Sequence, residues 1–176
     1  MLAVRIHEDG GPEVLRVEQV PDPVAGPGEV LVALHAASLN HLDVWMRKGL
    51  PSVPKPRILG ADGAGTVAAA GQGVAEARPD LAPGTRVVID PSIVVPGGGI
   101  LIPGESFDGT HAQLVAVPAA NVHPLPEHVP FEVAAAFPLA FVTAHRMLVA
   151  RARLEPGETV LVWGIGSGVS TAALAI

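Results

Sequence analysis

Proline and glycine punctuation constrains this chain more than any other feature. It carries 18 prolines and 20 glycines in 176 residues, and most of both fall before residue 130. Between them lie short apolar runs rich in β-branched residues and alanine: Ala3–Ile6, Leu15–Val20, Glu29–Ala36, Gly63–Ala70, Arg86–Ile89 and Gln113–Pro118. Short runs separated by frequent turn formers read as the strands of an all-β barrel or sandwich. Val30, Val32 and Leu34 alternate with Leu31, Ala33 and His35, so both faces of that run are partly apolar. A strand in a small closed barrel has that character, and one in a solvated sheet does not.

The pattern changes near residue 130. Phe131–Ala136 follows Pro130 as a helix start. Apolar residues at 141, 142, 144, 147, 148 and 149 then form a helical stripe over Phe141–Arg153, ending before Pro156-Gly157. Within the β-rich part, 38–48 reads as a short helix capped by Ser38 or Asn40. Residues 92–104 read as an aperiodic Gly/Pro loop.

From Thr159 a third pattern begins: an apolar strand, Val160–Trp163, a glycine turn, and a helix from Val169 onward. Strand, tight turn and helix N-terminus together cradle a pyrophosphate, because the glycines admit the anion and free N–H groups face it. Gly166, Ser167, Gly168 and Val169 are the candidate phosphate-binding residues. Ser170 stands near the place of the third glycine of the G-x-G-x-x-G pattern, and it is small enough for close packing. The chain stops at Ile176, about two helical turns on, so the expected nucleotide unit is begun and not completed. These readings give three regions: a β-rich domain over 1–130, a helical connector over 131–157, and the opening of a nucleotide-binding domain over 158–176.

Composition excludes several classes. Apolar residues make up 49% and charged residues 16%, which suits a core-forming chain. The net charge of −6, with no Lys/Arg cluster, argues against nucleic acid as a partner. No apolar run is long enough for a membrane span, and Arg5, Glu8 and Asp9 rule out a signal peptide at the N-terminus. The expected location is cytoplasmic. Cysteine is absent, which excludes disulfides, thiolate metal sites and a cysteine nucleophile.

Several segments occur in an order that resembles the N-terminal half of the medium-chain dehydrogenases/reductases, the zinc-type alcohol dehydrogenase and quinone oxidoreductase superfamily. They are Gly10–Leu15, Ala36–Gly49, Leu59–Val67, Pro83–Val87, Phe107–Gln113, Ala134–Ala136 through Thr143-Ala144, and Leu154–Glu158 before the nucleotide strand. The resemblance implies a mainly β fold: a GroES-like β-barrel followed by the beginning of a Rossmann domain. It also implies that zinc-dependent members carry Cys where Asn40 stands and His where Ala61 stands, with Asp62 in place of their Glu. The lobe that elsewhere holds structural zinc cysteines corresponds to 92–106. No zinc is therefore expected, because an amide is a poor zinc ligand and alanine is none.

The resemblance directs attention to particular residues. Asn40 either caps a helix or uses its amide on a nicotinamide ribose or substrate carbonyl. Asp62 is either turn chemistry or a catalytic carboxyl. Thr143 either caps a helix or bonds the cofactor amide. His41, with Asp43 two residues on, is either a loop histidine or a proton relay. Trp45 is either core or a wall of the substrate cleft. A metal site of His35, His41, Asp43 and Asp62 is possible by residue type, but its spacing matches no ligand pattern.

The function these residues imply is a zinc-independent oxidoreductase using NADPH or NADH on a quinone or an α,β-unsaturated carbonyl. In isolation the 176-residue chain is expected to be inactive. Two alternatives stand beside it: a non-enzymatic GroES-like barrel acting as an interaction or structural module, and a zinc-type alcohol dehydrogenase. The apolar residues of 158–176 call for cover, either from their counterpart in a second chain, as a homodimer, or by packing back into the gap that the family's returning C-terminal segment would fill.

Overall fold

A computed structural model describes all residues, Met1–Ile176. The chain opens with β1 (Leu2–Ile6) and β2 (Arg16–Gln19), an antiparallel pair, and continues into the long β3 (Glu29–Ala37). Helix α1 (His41–Arg47) follows, then β4 (Arg57–Ile58), β5 (Gly63–Ala70), the single turn α2 (Val74–Ala77) and β6 (Arg86–Ile89). A two-stranded hairpin, β7 (Ile93–Val94) with β8 (Ile100–Leu101), precedes β9 (Leu114–Pro118) and β10 (Val122–Pro124). The rest is helical: α3 (Phe131–Ala135), α4 (Pro138–His145), a π-helical stretch over Arg146–Arg151, and α5 (Gly168–Ala175).

The strands form a five-stranded antiparallel sheet in the order β10-β6-β5-β3-β9 and a three-stranded sheet in the order β2-β1-β4. The two join through a bridge between Ala3 and Ala112, and Val4 donates its N–H to the His111 carbonyl at 2.8 Å. Val30 and Val32 of β3, Val67 of β5, Val87 and Ile89 of β6, and Val115 and Val117 of β9 turn one way into a single apolar core. The alternation read from β3 is what fills it. Gly65 is required where β3 and β5 fall out of register, since a Cβ there would lie 1.9 Å from the Ala33 carbonyl oxygen. A second cluster, Ile6, Val14, Met46, Val53 and Leu59, seats α1 on the smaller sheet. A third, Ala64 with Ala134 and Ala135, seats α3 against β5. No helix is long and apolar enough to cross a membrane.

Three expectations are corrected. Residues 92–104 are not aperiodic: they hold the β7–β8 hairpin, with Val95 donating to the Gly99 carbonyl across the Gly-rich tip. The helical stripe 141–153 begins earlier, at Pro138, and opens into a π-helix after His145, where Ala152 donates to Met147. Residues 160–163 are not a strand. They join none of the three sheets, and a parallel strand is stable only with neighbours on its edges. Trp163, 88% exposed, and Leu161 are left facing solvent. The helix after the glycine turn forms nonetheless, starting one residue earlier than read, at Gly168.

Candidate functional site

Helix α1 starts where Asn40 leaves the extended backbone of β3. The Asp43 carboxylate closes its first turn, with Oδ2 accepting from the Asn40 N–H at 2.7 Å. Its other oxygen accepts from the Gly60 N–H at 3.0 Å, which fixes α1 to the turn before β5. Asp43 is thus buried, at 4% exposure, with both oxygens bonded. Gly60 has φ +99°, and a Cβ there would sit 2.6 Å from the Thr110 Oγ1. Only glycine fits that position.

Asp62 lies at the end of the same turn and is 1% exposed. Its Oδ2 accepts from the Asn40 Nδ2 at 2.9 Å and from the Ser38 Oγ at 3.1 Å. Its Oδ1 accepts from the backbone N–H of Leu139, in the first turn of α4, at 2.9 Å. Burial pushes the carboxyl above the usual carboxylate range, against the opposing pull of the three donors. Asp62 is therefore more than a turn former, and it does not line the open cleft described next.

That cleft, 420 Å³ in volume, opens between α1 and the α4–α5 pair. Asn40 and His41 form one wall, Leu139, Ala140 and Thr143 a second, and Ser167, Gly168 and Val169 a third. Ser167 caps α5, its Oγ accepting from the Ser170 N–H at 3.1 Å. Gly168 and Val169, the first two residues of α5, keep N–H groups with no intrahelical acceptor. α5 packs on α4 at this point: a Cβ built on Gly168 would lie in ordinary contact with the Ala140 Cβ, at 3.7 Å.

Six of the residues singled out from sequence thus meet in one place: Asn40, His41, Thr143, Ser167, Gly168 and Val169. Three do not. Gly166 stands apart in the glycine turn with open space around it. Trp45 is half-exposed on α1, its ring beneath the Lys48 Nζ at 5.5 Å, and lines no part of the cleft. Asp62 lies behind it. Sequence reasoning read Ser38 only as a possible helix cap, and it missed the Leu139 N–H. The available signal was α4's start: Phe137, at its N-cap, has no side-chain acceptor, so a first-turn N–H needs one from elsewhere.

Ala61 offers no ligand atom, the Asn40 amide nitrogen is held by Asp62, and no three His, Asp or Glu side chains group together. His35 instead stacks on Phe131, with ring centroids 4.5 Å apart.

Comparison with known proteins decides the family. Residues 26–127 match the alcohol dehydrogenase GroES-like domain. The chain belongs to this family. Within its superfamily, the medium-chain dehydrogenases/reductases, human quinone oxidoreductase is 31% identical over 179 residues, covering all of this chain and 49% of that protein. The trans-enoyl reductase tazE of Aspergillus terreus is 33% identical, over 98% of this chain and 57% of that protein. Among solved structures, an NAD-dependent alcohol dehydrogenase is 44% identical with a TM-score of 0.87, covering 99% of this chain and 54% of that one. A mycobacterial protein complexed with NADPH is 32% identical with a TM-score of 0.84, covering 98% and 48%. The chain spans about half the length of these relatives. The mainly β, GroES-like fold with the opening of a Rossmann unit agrees with this family.

Proposed function

We propose that the cleft takes a nicotinamide dinucleotide, and that the protein serves hydride transfer to a quinone or an α,β-unsaturated carbonyl without zinc. One observation carries this: Asn40, Thr143 and the open N-terminus of α5 converge on a single cleft from three separate segments. The free N–H groups of Gly168 and Val169 suit a phosphate, and the α5 dipole favours its charge. Asn40 and Thr143, on the other two walls, would hold the nicotinamide end. The cofactor, when bound, supplies the hydride; the chain's residues orient it and keep water out. Leu39, Leu42, Leu139 and Ala140 give the cleft its apolar lining. The relatives named for quinone and enoyl reduction support the substrate class, and the NADPH complex supports the choice of NADPH.

The test is a saturation titration with NADPH, with NADH as competitor, on the wild type and Ser167→Asp. Aspartate still caps a helix, so α5 stays formed. Its charge, however, faces the proposed phosphate. Saturable binding that the substitution abolishes, at unchanged stability, is the expected result. Equal affinity in both proteins would remove the phosphate from this helix end.

A further inference from the structure

We propose that Asp62 is the positioning residue of the cleft, one carboxyl that sets where Asn40 stands relative to α4. The inference rests on the nucleotide reading above. Asp62 is not among the residues that line the cleft. Its three donors come from two segments far apart in the chain: Ser38 and Asn40 in the link between β3 and α1, and Leu139 in the first turn of α4. Asn40 belongs to one wall of the cleft, and Leu139 and Thr143 to another. A single side chain therefore registers the two walls.

Asp is suited to this role for a local reason. Helix α4 begins Phe137-Pro138-Leu139, and Phe137 offers no acceptor. The Leu139 N–H has no intrahelical partner either. Asp62, 77 residues earlier in the chain, fills the place of the missing cap. The same carboxyl draws the Asn40 Nδ2 inward, which leaves the amide oxygen as the free end of that side chain. Without Asp62, α4 loses its tie to the barrel, and with it the set position of Thr143. The α5 end shifts too, because α5 packs on α4 through Gly168 and Ala140. A ligand spanning both walls would then meet them at an unset separation.

The experiment compares the wild type with Asp62→Ala, Asn40→Ala and the double variant in the 176-residue chain. Three readouts are taken: amide hydrogen exchange at Leu139, thermal midpoint, and NADPH affinity at a temperature where every variant is folded. Asp62→Ala should speed exchange at Leu139 and weaken NADPH roughly ten-fold, the size of one lost hydrogen-bond relay. Asn40→Ala should weaken NADPH while Leu139 stays protected. Adding it to Asp62→Ala should cost little more, because the two act in one line. If Asp62→Ala does not fold, Asp62→Asn takes its place; it keeps the volume but cannot accept from all three donors, and the same weakening is expected.

A merely structural Asp62 would lower the midpoint and leave NADPH affinity within two-fold, and that outcome overturns the proposal. If the wild type does not bind NADPH at all, the nucleotide reading fails on its own. Exchange at Leu139 then judges the joint, and an unchanged rate in Asp62→Ala overturns it.

Discussion

A carboxyl that accepts three hydrogen bonds is ordinarily held low, since each bond favours the charged form. Asp62 goes the other way, because burial outweighs its donors and the Asp43 charge adds to the effect. Its folded-state pKa therefore exceeds the unfolded one. The stability it contributes is complete below the ordinary carboxylate value and is lost as pH rises through the raised value. Glu13, lowered first by its own N–H and next by that of Gly11, and Asp80, lowered first by Arg78, act in the opposite sense. Their contributions are lost only as pH falls below the ordinary value, and both groups are exposed. Urea midpoints should thus decline with pH above the ordinary carboxylate value, and Asp62→Asn should flatten that decline. Parallel curves for the two proteins would contradict the assignment. A second expectation concerns Gly60: with φ +99° and Thr110 Oγ1 and His111 in the way, Gly60→Ala should cost about 1–3 kcal/mol by chemical denaturation. Asn40 is one of two caps read for the helix over 38–48, and the structure selects it over Ser38, with Asp43 closing the first turn. The Asp62–Leu139 bond closes over 77 residues and leaves no local trace.

The elements most legible in sequence were those whose own residues decide them. β5 and β6 match the runs read for them end to end, because glycine or proline bounds them and their apolar residues fill the core. The β7–β8 hairpin was not legible, since two-residue strands are too short to show a period. The π-helix after α4 escaped for a related reason: its apolar positions fit an α stripe, and only the bonding pattern differs. Helix α3 shows how a short element is held. Phe131 at its start lies between the His35 ring and the Arg86 guanidinium, the latter 4.0 Å from the ring centroid. Arg86 also donates to the Val129 carbonyl at 2.6 Å. Phe131→Leu keeps the apolar bulk but loses the stacking and cation–π contact, and it should lower stability by about 1 kcal/mol. Proteolysis in the 126–137 link should quicken with it. An unchanged midpoint and cutting rate would show that Ala134 and Ala135 alone seat the helix.

At the scale of the molecule, the barrel is self-sufficient and the last segment is not. One apolar core serves the five-stranded sheet, whereas Val160, Leu161, Trp163, Ile165, Leu174 and Ile176 are exposed. Only one face of α5 is covered, where Ala172 is wholly buried. α5 lies on α4, in the helical connector. The remaining apolar surface favours association between chains, and we expect sedimentation velocity to show larger species as concentration rises. Leu161→Ser with Trp163→Ser should return the chain toward monomer. A wild type that stays monomeric at every concentration would assign this surface another role. The order of the motifs made the family legible from sequence. The cleft itself became visible only when α1, α4 and α5 were placed in space.

Trp45 on α1 and Trp163 beside the glycine turn are the chain's two tryptophans, and it has no tyrosine. Ultraviolet emission from this protein therefore comes from two known points. One lies under the Lys48 ammonium, away from the cleft, and the other is joined to α5 through its carbonyl, which accepts from the Ser170 hydroxyl at 3.4 Å. With Trp45→Phe in place, any spectral change on adding a nucleotide must originate beside the proposed phosphate cradle. The molecule carries its own optical gauge, and no dye or label need be attached to read it.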